Sequence, residues 1–180
     1  MSKFKNVPNK SIIVDGDEKW ISRSTAVVVT IILNGEKVLI VKRGKKSTQS
    51  GKWCNPCGYI DWNESGTKCC IREVWEETGL DINQIIDDPD SIDFDSLIYP
   101  WDIVTNPDLN YNQDIALYYG LCFSSEIEPE ITIDNSDDEI DDVRWVNLED
   151  LKNYEFAFNH DKRIYKYVSY IKEKLESVNN

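Results

Sequence analysis

Residues Gly58 to Leu80 read GYIDWNESGTKCCIREVWEETGL and bring three glutamates close together, at Glu73, Glu76 and Glu77. Positions three and four residues apart on a helix are surface neighbours, so these carboxylates share one face and repel each other. A solvated acidic face would be interleaved with basic side chains, and only Arg72 stands beside the glutamates. The pattern therefore favours a divalent-cation site, because carboxylate oxygens are hard ligands that suit Mg²⁺ or Mn²⁺.

The same helix carries apolar side chains on what the sequence predicts to be its other side. At about 100° per residue, Ile71, Val74, Trp75 and Thr78 fall opposite the glutamates. Gly79 follows the last turn, where a residue in the left-handed conformation commonly ends a helix. We therefore expect a short helix that buries an apolar face and gathers negative charge on the other.

Two further residues of this stretch carry opposite charges near the start of the helix. Glu64 lies eight residues before Arg72, about two helical turns away, so the two can pair if the preceding chain folds back. Glu64 also lies near the positive end of the helix dipole. Gly58 comes six residues before Glu64 and permits a sharp backbone turn.

This constellation resembles the signature of the Nudix family: Gly, five residues, Glu, seven residues, then Arg-Glu-aliphatic-x-Glu-Glu-x-Gly-aliphatic. Every specified position matches, namely Gly58, Glu64, Arg72, Glu73, Val74, Glu76, Glu77, Gly79 and Leu80. The resemblance implies an α/β/α sandwich with a mixed β-sheet, and Mg²⁺-dependent hydrolysis of a diphosphate linked to another moiety. We expect a single domain of this kind over residues 1–180, with residues 1–22 as a polar N-terminal extension or an edge hairpin.

The resemblance also implies roles for individual residues. Glu73, Glu76 and Glu77 are expected to hold Mg²⁺ or Mn²⁺. The catalytic group is assigned to Glu73, Arg72 and Glu139. In family members the general base is a helix glutamate or a nearby loop carboxylate, and the sequence does not decide between Glu73 and Glu139. Arg72 is expected to orient the glutamates.

Substrate binding is assigned to Arg43 and Gly58, and Glu64 is assigned a structural role at the site. Arg43 ends the strand before the motif, where Nudix hydrolases often present a basic side chain to substrate phosphate. A guanidinium suits that task because its donors form a fork. Glu139 lies six residues before Trp145, and some Nudix enzymes place an additional metal-binding or base carboxylate at a similar distance before a strand tryptophan.

The charge of the chain limits the class of partner. The 180 residues carry a formal net charge of −13, and such a chain is unsuited to a large nucleic-acid or anionic-membrane footprint. We expect a small-molecule nucleotide as partner, with no nucleic acid and no membrane, and whether the chain forms a homodimer is left open. The N-terminal residues lack a signal-peptide pattern and no apolar run reaches membrane length, so a cytoplasmic location is expected.

Apolar and alternating runs predict the other elements. Asp15-Gly16 and Asn34-Gly35 predict turns of two hairpins. Strands are predicted at Ser11–Val14, Lys19–Ile21, Ala26–Leu33, Lys37–Arg43, Trp53–Ile60, Asp114–Phe123, Ile131–Ile133 and Val143–Val146. An acidic loop is expected over Asp87–Asp95 and a second main helix over Asp161–Ser177. His160, the only histidine, lies beside the start of that helix and is expected to cap it or to lie at the surface.

The expected activity is Mg-dependent cleavage of the pyrophosphate linkage of a nucleoside diphosphate derivative, either an ADP-ribose-like compound or a nucleoside triphosphate. Two alternatives from other classes stay open. A non-catalytic nucleotide sensor on the same fold would usually lose helix glutamates. An isopentenyl-diphosphate isomerase-like enzyme would need a cysteine and a glutamate placed for carbon protonation. The intact run from Arg72 to Glu77 favours hydrolysis.

Overall fold

The computed structural model describes residues 10–87, 92–106, 114–133 and 138–178. The strands in this part of the chain are β1 (Lys10–Val14), β2 (Asp17–Ser22), β3 (Thr25–Leu33), β4 (Lys37–Arg43), β5 (Trp53–Cys54), β6 (Cys57–Tyr59), β7 (Ile92–Ser96), β8 (Asp102–Val104), β9 (Ile115–Phe123) and β10 (Ile140–Asn147). The helices are α1 (Gly66–Thr78), α2 (Ile82–Ile86) and α3 (His160–Val178), with a 3₁₀ helix at Leu148–Asn153.

Strands β3 to β10 form one mixed sheet. β10, β4, β3, β9 and β7 lie side by side in that order, and β5, β6 and β8 pair with β4, β3 and β9 respectively. β3 and β9 run parallel along their whole length, from Thr25 beside Ile115 to Leu33 beside Phe123. The other pairings in this sheet are antiparallel.

Helices cover both faces of this sheet. On one face Val29 of β3 packs in a buried core with Val74 of α1. On the other, Ile32 of β3 packs with Ile164 and Tyr167 of α3. Alternate residues of a strand point to opposite faces, so a strand buried on both sides is apolar throughout. The architecture is the predicted α/β/α sandwich with a mixed sheet. No described helix combines the length and the apolar character that a membrane crossing requires.

Both predicted hairpins form. Asn34 and Gly35, between β3 and β4, have φ angles of 54° and 67°, which asparagine and glycine adopt most readily. β1 and β2 are joined by Asp15 and Gly16, whose φ angles of 53° and 86° suit a two-residue hairpin turn. These two strands make a separate two-stranded sheet. Local turn chemistry was sufficient to predict both connections.

Two of the other predicted strands differ from the structure. The single strand predicted over Trp53–Ile60 is divided into β5 and β6 by Asn55-Pro56, since proline has no N–H to donate to a strand ladder. The strand predicted over Ile131–Ile133 is wrong. The N–H of Thr132 donates instead to the carbonyl of Thr78 at 2.8 Å, so this segment satisfies the end of α1.

The acidic loop predicted over Asp87–Asp95 is also wrong from residue 92 onward. Ile92–Ser96 is the strand β7, which pairs antiparallel with β9 at the edge of the sheet. Residues 88–91 lie outside the described part of the chain. Charged side chains are common on edge strands, where they discourage pairing with another chain, so an acidic composition does not exclude a strand there.

Val74 and Thr78 of α1 are buried as predicted, but the predicted separation of the apolar residues from all three glutamates is wrong. Trp75, expected on the buried side, is 56% exposed. Residues four apart on a helix form a row, and adjacent rows pack together. The two rows on the sheet-facing side are Cys69, Glu73 and Glu77, and beside them Cys70, Val74 and Thr78. Two of the three glutamates therefore lie on the packed side of the helix.

A buried series of hydrogen bonds links β3 to the start of α3. The side-chain amide of Asn55 donates to Thr30 Oγ1 at 2.7 Å, and its backbone N–H donates to Nδ1 of His160 at 3.1 Å. His160 is 3% exposed, so the expected surface placement is wrong. Burial, with the nearby cations Arg43 and Arg163, lowers the pKa of His160 to about 3.

His160 should make folding stability depend on pH below neutrality. The unfolded chain takes up a proton near the ordinary pKa of 6.5, whereas the folded protein keeps the ring neutral down to about 3. The contribution of the neutral His160 ring to the free energy of unfolding is therefore fully present above about pH 6.5, and it is lost as the pH falls towards 3. From pH 7 to 5 the loss should be about 2 kcal/mol, and the non-titrating variant His160→Gln should not show it. Urea unfolding of both proteins measures this, and parallel pH profiles would contradict a buried neutral ring.

Candidate active site

Helix α1 is fixed at both ends. Ser65 Oγ accepts a hydrogen bond from the N–H of Lys68 at 3.3 Å. At the other end Gly79 has a φ of 66°, and its N–H donates to the carbonyl of Trp75 at 2.9 Å, as the sequence predicts. These caps set where the helix begins and ends, and hence where its glutamates lie relative to the sheet.

The close approach of α1 to β6 depends on the absence of a side chain at residue 58. A Cβ atom added to Gly58 would lie 2.1 Å from Oε1 of Glu73. The Glu73 carboxylate therefore occupies the space that any other residue at this position would need. Its side chain is only 13% exposed and accepts from Arg72 Nη1 at 2.5 Å. Burial raises the pKa of Glu73 to about 7 despite the opposing effect of Arg72, and Glu76 and Glu64 raise it further.

Glu77 lies one turn along the same row and faces the same strand. Its Oε2 accepts from the backbone N–H of Cys57 at 3.1 Å. Burial holds the pKa of Glu77 well above its usual range, and the nearby Cys57 and Glu73 act in the same direction. The backbone donor and Arg43 oppose this shift without cancelling it. The site is therefore short of positive charge for the carboxylates that it holds.

Arg72 is engaged by the site itself. Its Nε and Nη2 donate to the two carboxylate oxygens of Glu64, both at 2.8 Å, so the predicted pair forms. Nη1 donates to Glu73 and, at 3.2 Å, to Glu76, while Nη2 also donates to the carbonyl of Tyr59 at 3.1 Å. The bonds from Arg72 lower the pKa of Glu64. These contacts suit a residue that orients the glutamates and ties the preceding loop to α1.

The carboxylates of α1 fit a hard divalent cation by their chemistry. Glu73 and Glu77 are largely buried, Glu73 raises the pKa of Glu77, and Arg72 is shared among Glu64, Glu73 and Glu76. A cation would relieve that repulsion. Within the described residues no three histidine, cysteine or acidic side chains already converge as a complete ligand set. Mg²⁺ in proteins usually binds through one or two carboxylates together with water and phosphate oxygens.

A cavity of about 750 Å³ adjoins the carboxylates. Cys57 and Gly58, whose far sides contact Glu77 and Glu73, form part of its wall. Arg43 also lines it, so the structure brings together the two residues assigned to substrate binding. A ligand in this cavity would lie against the strand under which the glutamates are buried.

The opposite wall of the cavity contains residues that the sequence analysis missed. Lys162, Arg163 and Lys166 of α3 line it, together with Tyr118 of β9. Asp102 pairs with Arg163 at 3.0 Å and with Lys166 at 2.6 Å. The signal available in the sequence was this basic group in the first turns of α3, in a chain that is otherwise acidic. Placing it at the site requires the α3 docking geometry.

Arg43 is held in place in the wall of this cavity. Its Nε donates to the carbonyl of Thr48 at 2.5 Å, and its guanidinium lies 4.9 Å from the centre of the Phe158 ring. Burial lowers the pKa of Arg43, but Cys57, Cys54 and Glu77 outweigh that effect and raise it overall. Arg43 is therefore a permanent cation in the cavity wall, close enough to Glu77 for the two charges to interact.

Glu139 precedes β10, whose first residue pairs with Arg43 of β4, and it lies at the surface. Its backbone carbonyl accepts from the N–H of Gly44 at 2.7 Å and from Ser47 Oγ at 3.0 Å, and its side chain is exposed. The loop that carries it is thus tied to the end of β4. Its assignment as a base or metal ligand stays a prediction.

Comparison with known proteins places this geometry in a family. The family profile described as the NUDIX domain matches residues 23–168. The mRNA-decapping enzyme subunit 2 of Saccharomyces cerevisiae is 28% identical over 126 residues, covering 70% of this chain and 11% of that protein. The mRNA decapping complex subunit 2 of Schizosaccharomyces pombe is 30% identical over 128 residues, covering 70% and 14%. The chain spans only a small part of the length of these relatives.

Solved structures share the fold. A bifunctional NMN adenylyltransferase/ADP ribose pyrophosphatase from Francisella tularensis, complexed with AMP and a Mn ion, matches with a TM-score of 0.64 and 23% identity, over 85% of this chain and 42% of that one. The Ap4A hydrolase of C. elegans matches with a TM-score of 0.58 and 14% identity, over 83% and 99%. With the family profile covering most of the sequence, the chain belongs to the NUDIX domain family.

Proposed function

We propose that the protein hydrolyses the diphosphate linkage of a small nucleotide derivative with the help of Mg²⁺ or Mn²⁺. One observation carries this proposal: two buried glutamates of α1 lie beneath Gly58 and Cys57, on the other side of which is a cavity lined by cations. Strand β6 thus lies between two features. On one side are carboxylates that need a cation, and on the other is a cavity that attracts an anion. A diphosphate bound with a divalent ion satisfies both.

The α1 glutamates and Arg72 would have different roles in the reaction. Glu73, Glu76 and Glu77 would hold the divalent ion, which supplies charge neutralisation for phosphate oxygens and activates water. Arg72 would orient Glu73 and Glu76 through its bonds to them, while its pair with Glu64 holds the guanidinium in place. Phosphoryl transfer requires mainly positioning and electrostatic stabilisation, and this arrangement provides both.

The cavity side would bind and orient the substrate. Arg43 would contact phosphate, and Gly58 in the cavity wall would lie against the bound ligand. The general base is Glu73 or Glu139, and the variants below distinguish them. The nucleotide class is supported by the fold neighbours, one of which is an ADP ribose pyrophosphatase complexed with AMP and another an Ap4A hydrolase.

A second candidate substrate is a capped RNA end. Relatives at 28–30% identity are named as mRNA-decapping proteins, and a cap is itself a nucleotide linked through phosphates. The net charge of −13 disfavours a long RNA footprint. We therefore place the short cap dinucleotide among the substrates to be tested, and expect no gain in turnover when a long RNA is attached.

The two alternatives from other classes fit the site less well. A nucleotide sensor has no need of buried glutamates that burial and repulsion make costly, and this chain retains them in α1.

An isomerase of diphosphates needs a cysteine that can protonate a carbon atom. The hydrogen bond with Cys54, together with burial, holds the pKa of Cys57 well above its usual range, and burial raises the pKa of Cys69. A thiol with a raised pKa is a weaker acid, so Cys57 and Cys69 are poorly suited to protonating a carbon atom.

The first test of the function is a substrate panel with and without metal. ADP-ribose, nucleoside triphosphates, a dinucleoside polyphosphate and the cap dinucleotide should include at least one compound that is cleaved with Mg²⁺ or Mn²⁺. Cleavage should stop in EDTA, and turnover in ¹⁸O-water should place label on a phosphate product. A panel that binds without cleavage would support the sensor instead. Full turnover in EDTA would contradict the role of the glutamates.

The second test separates the helix carboxylates from the loop carboxylate. Glu77→Gln should lower kcat at least ~10²-fold, because it removes a charge that holds the metal. The amide keeps the acceptor for the N–H of Cys57, so the fold should survive. Glu139→Gln is the matched variant at the surface: a similar loss would identify Glu139 as the base, and an unchanged kcat would leave Glu73. Normal kcat in Glu77→Gln, with unchanged circular dichroism, would refute the site.

A further inference from the structure

The ring of His160 lies where two features of the molecule meet. The residue is buried, with only 3% of its surface exposed. It also lines the cavity beside the α1 carboxylates. Its neighbour on the cavity wall is Phe158, whose ring centre lies 5.5 Å away. A buried polar ring at the surface of a cavity is costly unless both of its nitrogens are used.

The hydrogen bond from Asn55 determines which nitrogen carries the proton. The backbone N–H of Asn55 donates to Nδ1 of His160 at 3.1 Å, so Nδ1 must present a lone pair. A neutral imidazole then has its proton on Nε2. Asn55 is completely buried and its side chain is bonded to Thr30, so this donor cannot turn away. His160 is thus held as a donor, with Nε2–H as the group that it can offer to the cavity.

Two guanidinium groups lie near this donor. Arg43 and Arg163 both line the cavity and are close enough to His160 to lower its pKa. Arg43 lies over the Phe158 ring, and Arg163 lies 4.6 Å from the centre of the Tyr118 ring while donating to Asp102. Asp161, the charged residue that follows His160, acts on the ring in the opposite sense. Two fixed cations and a neutral donor therefore line the same region.

We propose that His160, Arg43 and Arg163 form a phosphate-binding subsite on the α3 side of the cavity, in which Nε2–H of His160 donates to a phosphate oxygen. The proposal rests on the proposed function, because the phosphate is taken to be one that the substrate carries towards the cavity. A neutral donor bonds to an oxyanion without changing its protonation, and the flanking cations supply the charge. The subsite would fix the orientation of the nucleotide relative to the α1 glutamates.

A spectroscopic test uses the fact that the chain has a single histidine. Long-range ¹H–¹⁵N NMR of the ¹⁵N-labelled protein then shows one imidazole, without any need for assignment. The spectrum at pH 7 should show protonated Nε2 and unprotonated Nδ1. In EDTA, AMP should shift the Nε2 signal, whereas adenosine, which lacks the phosphate, should not. Protonated Nδ1, or no phosphate-dependent shift at AMP concentrations up to the solubility limit, would overturn the subsite.

Two variants separate the cavity donor from the structural contact. His160→Asn keeps an acceptor near Nδ1 for the N–H of Asn55 but has no group at the Nε2 position. His160→Gln can place its amide N–H near the Nε2 position. We expect His160→Asn to weaken AMP binding roughly tenfold, the loss of one hydrogen bond to a charged group, with adenosine affinity unchanged. His160→Gln should bind AMP more tightly than His160→Asn. Equal losses for AMP and adenosine, or equal AMP affinity in both variants, would overturn the proposal.

These binding measurements are made without metal or turnover, so they are independent of hydrolysis. If AMP shifts the His160 signal but no compound of the substrate panel is cleaved, the proposed function fails while the subsite stands. If the panel is cleaved and His160 does not respond to AMP, the function stands and the subsite fails.

Discussion

The near-contact between Gly58 and Glu73 is the constraint on which the arrangement of the site depends. Because residue 58 has no side chain, β6 and α1 approach closely enough for the Glu73 carboxylate to occupy the position of a Cβ atom. Glu77 follows in the same row and takes the N–H of Cys57. Both carboxylates lose most of their contact with water, which raises their pKa values, and Arg72 must serve several glutamates at once. An excess of buried negative charge is therefore built into the packing, and a divalent cation is the natural counter-charge.

Strand β6 separates a negatively charged environment, the α1 carboxylates, from a positively charged one, the cavity. The whole chain is strongly acidic, yet the cavity on the far side of β6 is lined by Arg43 and by basic residues at the start of α3. A polyanionic nucleotide would be repelled by most of the surface and attracted into this cavity. His160 adds a donor there that stays uncharged, because its ring is buried and bonded to Asn55. Binding and reaction thus use different walls of one site.

Features that depend on short-range geometry could be predicted from the sequence. The left-handed Gly79, the Arg72–Glu64 pair and the two hairpin turns each follow from residues less than three helical turns apart. The features that were missed depend on tertiary contacts. Trp75 is exposed because the docking of α1 turns the row containing Glu73 and Glu77 towards the sheet, which helical periodicity alone cannot reveal. His160 and the basic residues of α3 reach the site only because α3 packs on the opposite face, about a hundred residues after the motif begins.

The most direct test of this account is the variant Gly58→Ala. The new methyl group would meet the flexible end of Glu73 and not a rigid backbone, so the melting temperature should stay close to that of the wild type. The displaced carboxylate should lower kcat on the substrate found in the panel by at least ~10²-fold, as for the loss of one stabilising group at a reaction centre. Wild-type kcat in a folded Gly58→Ala protein would contradict the claim that the position of Glu73 beneath residue 58 controls the chemistry.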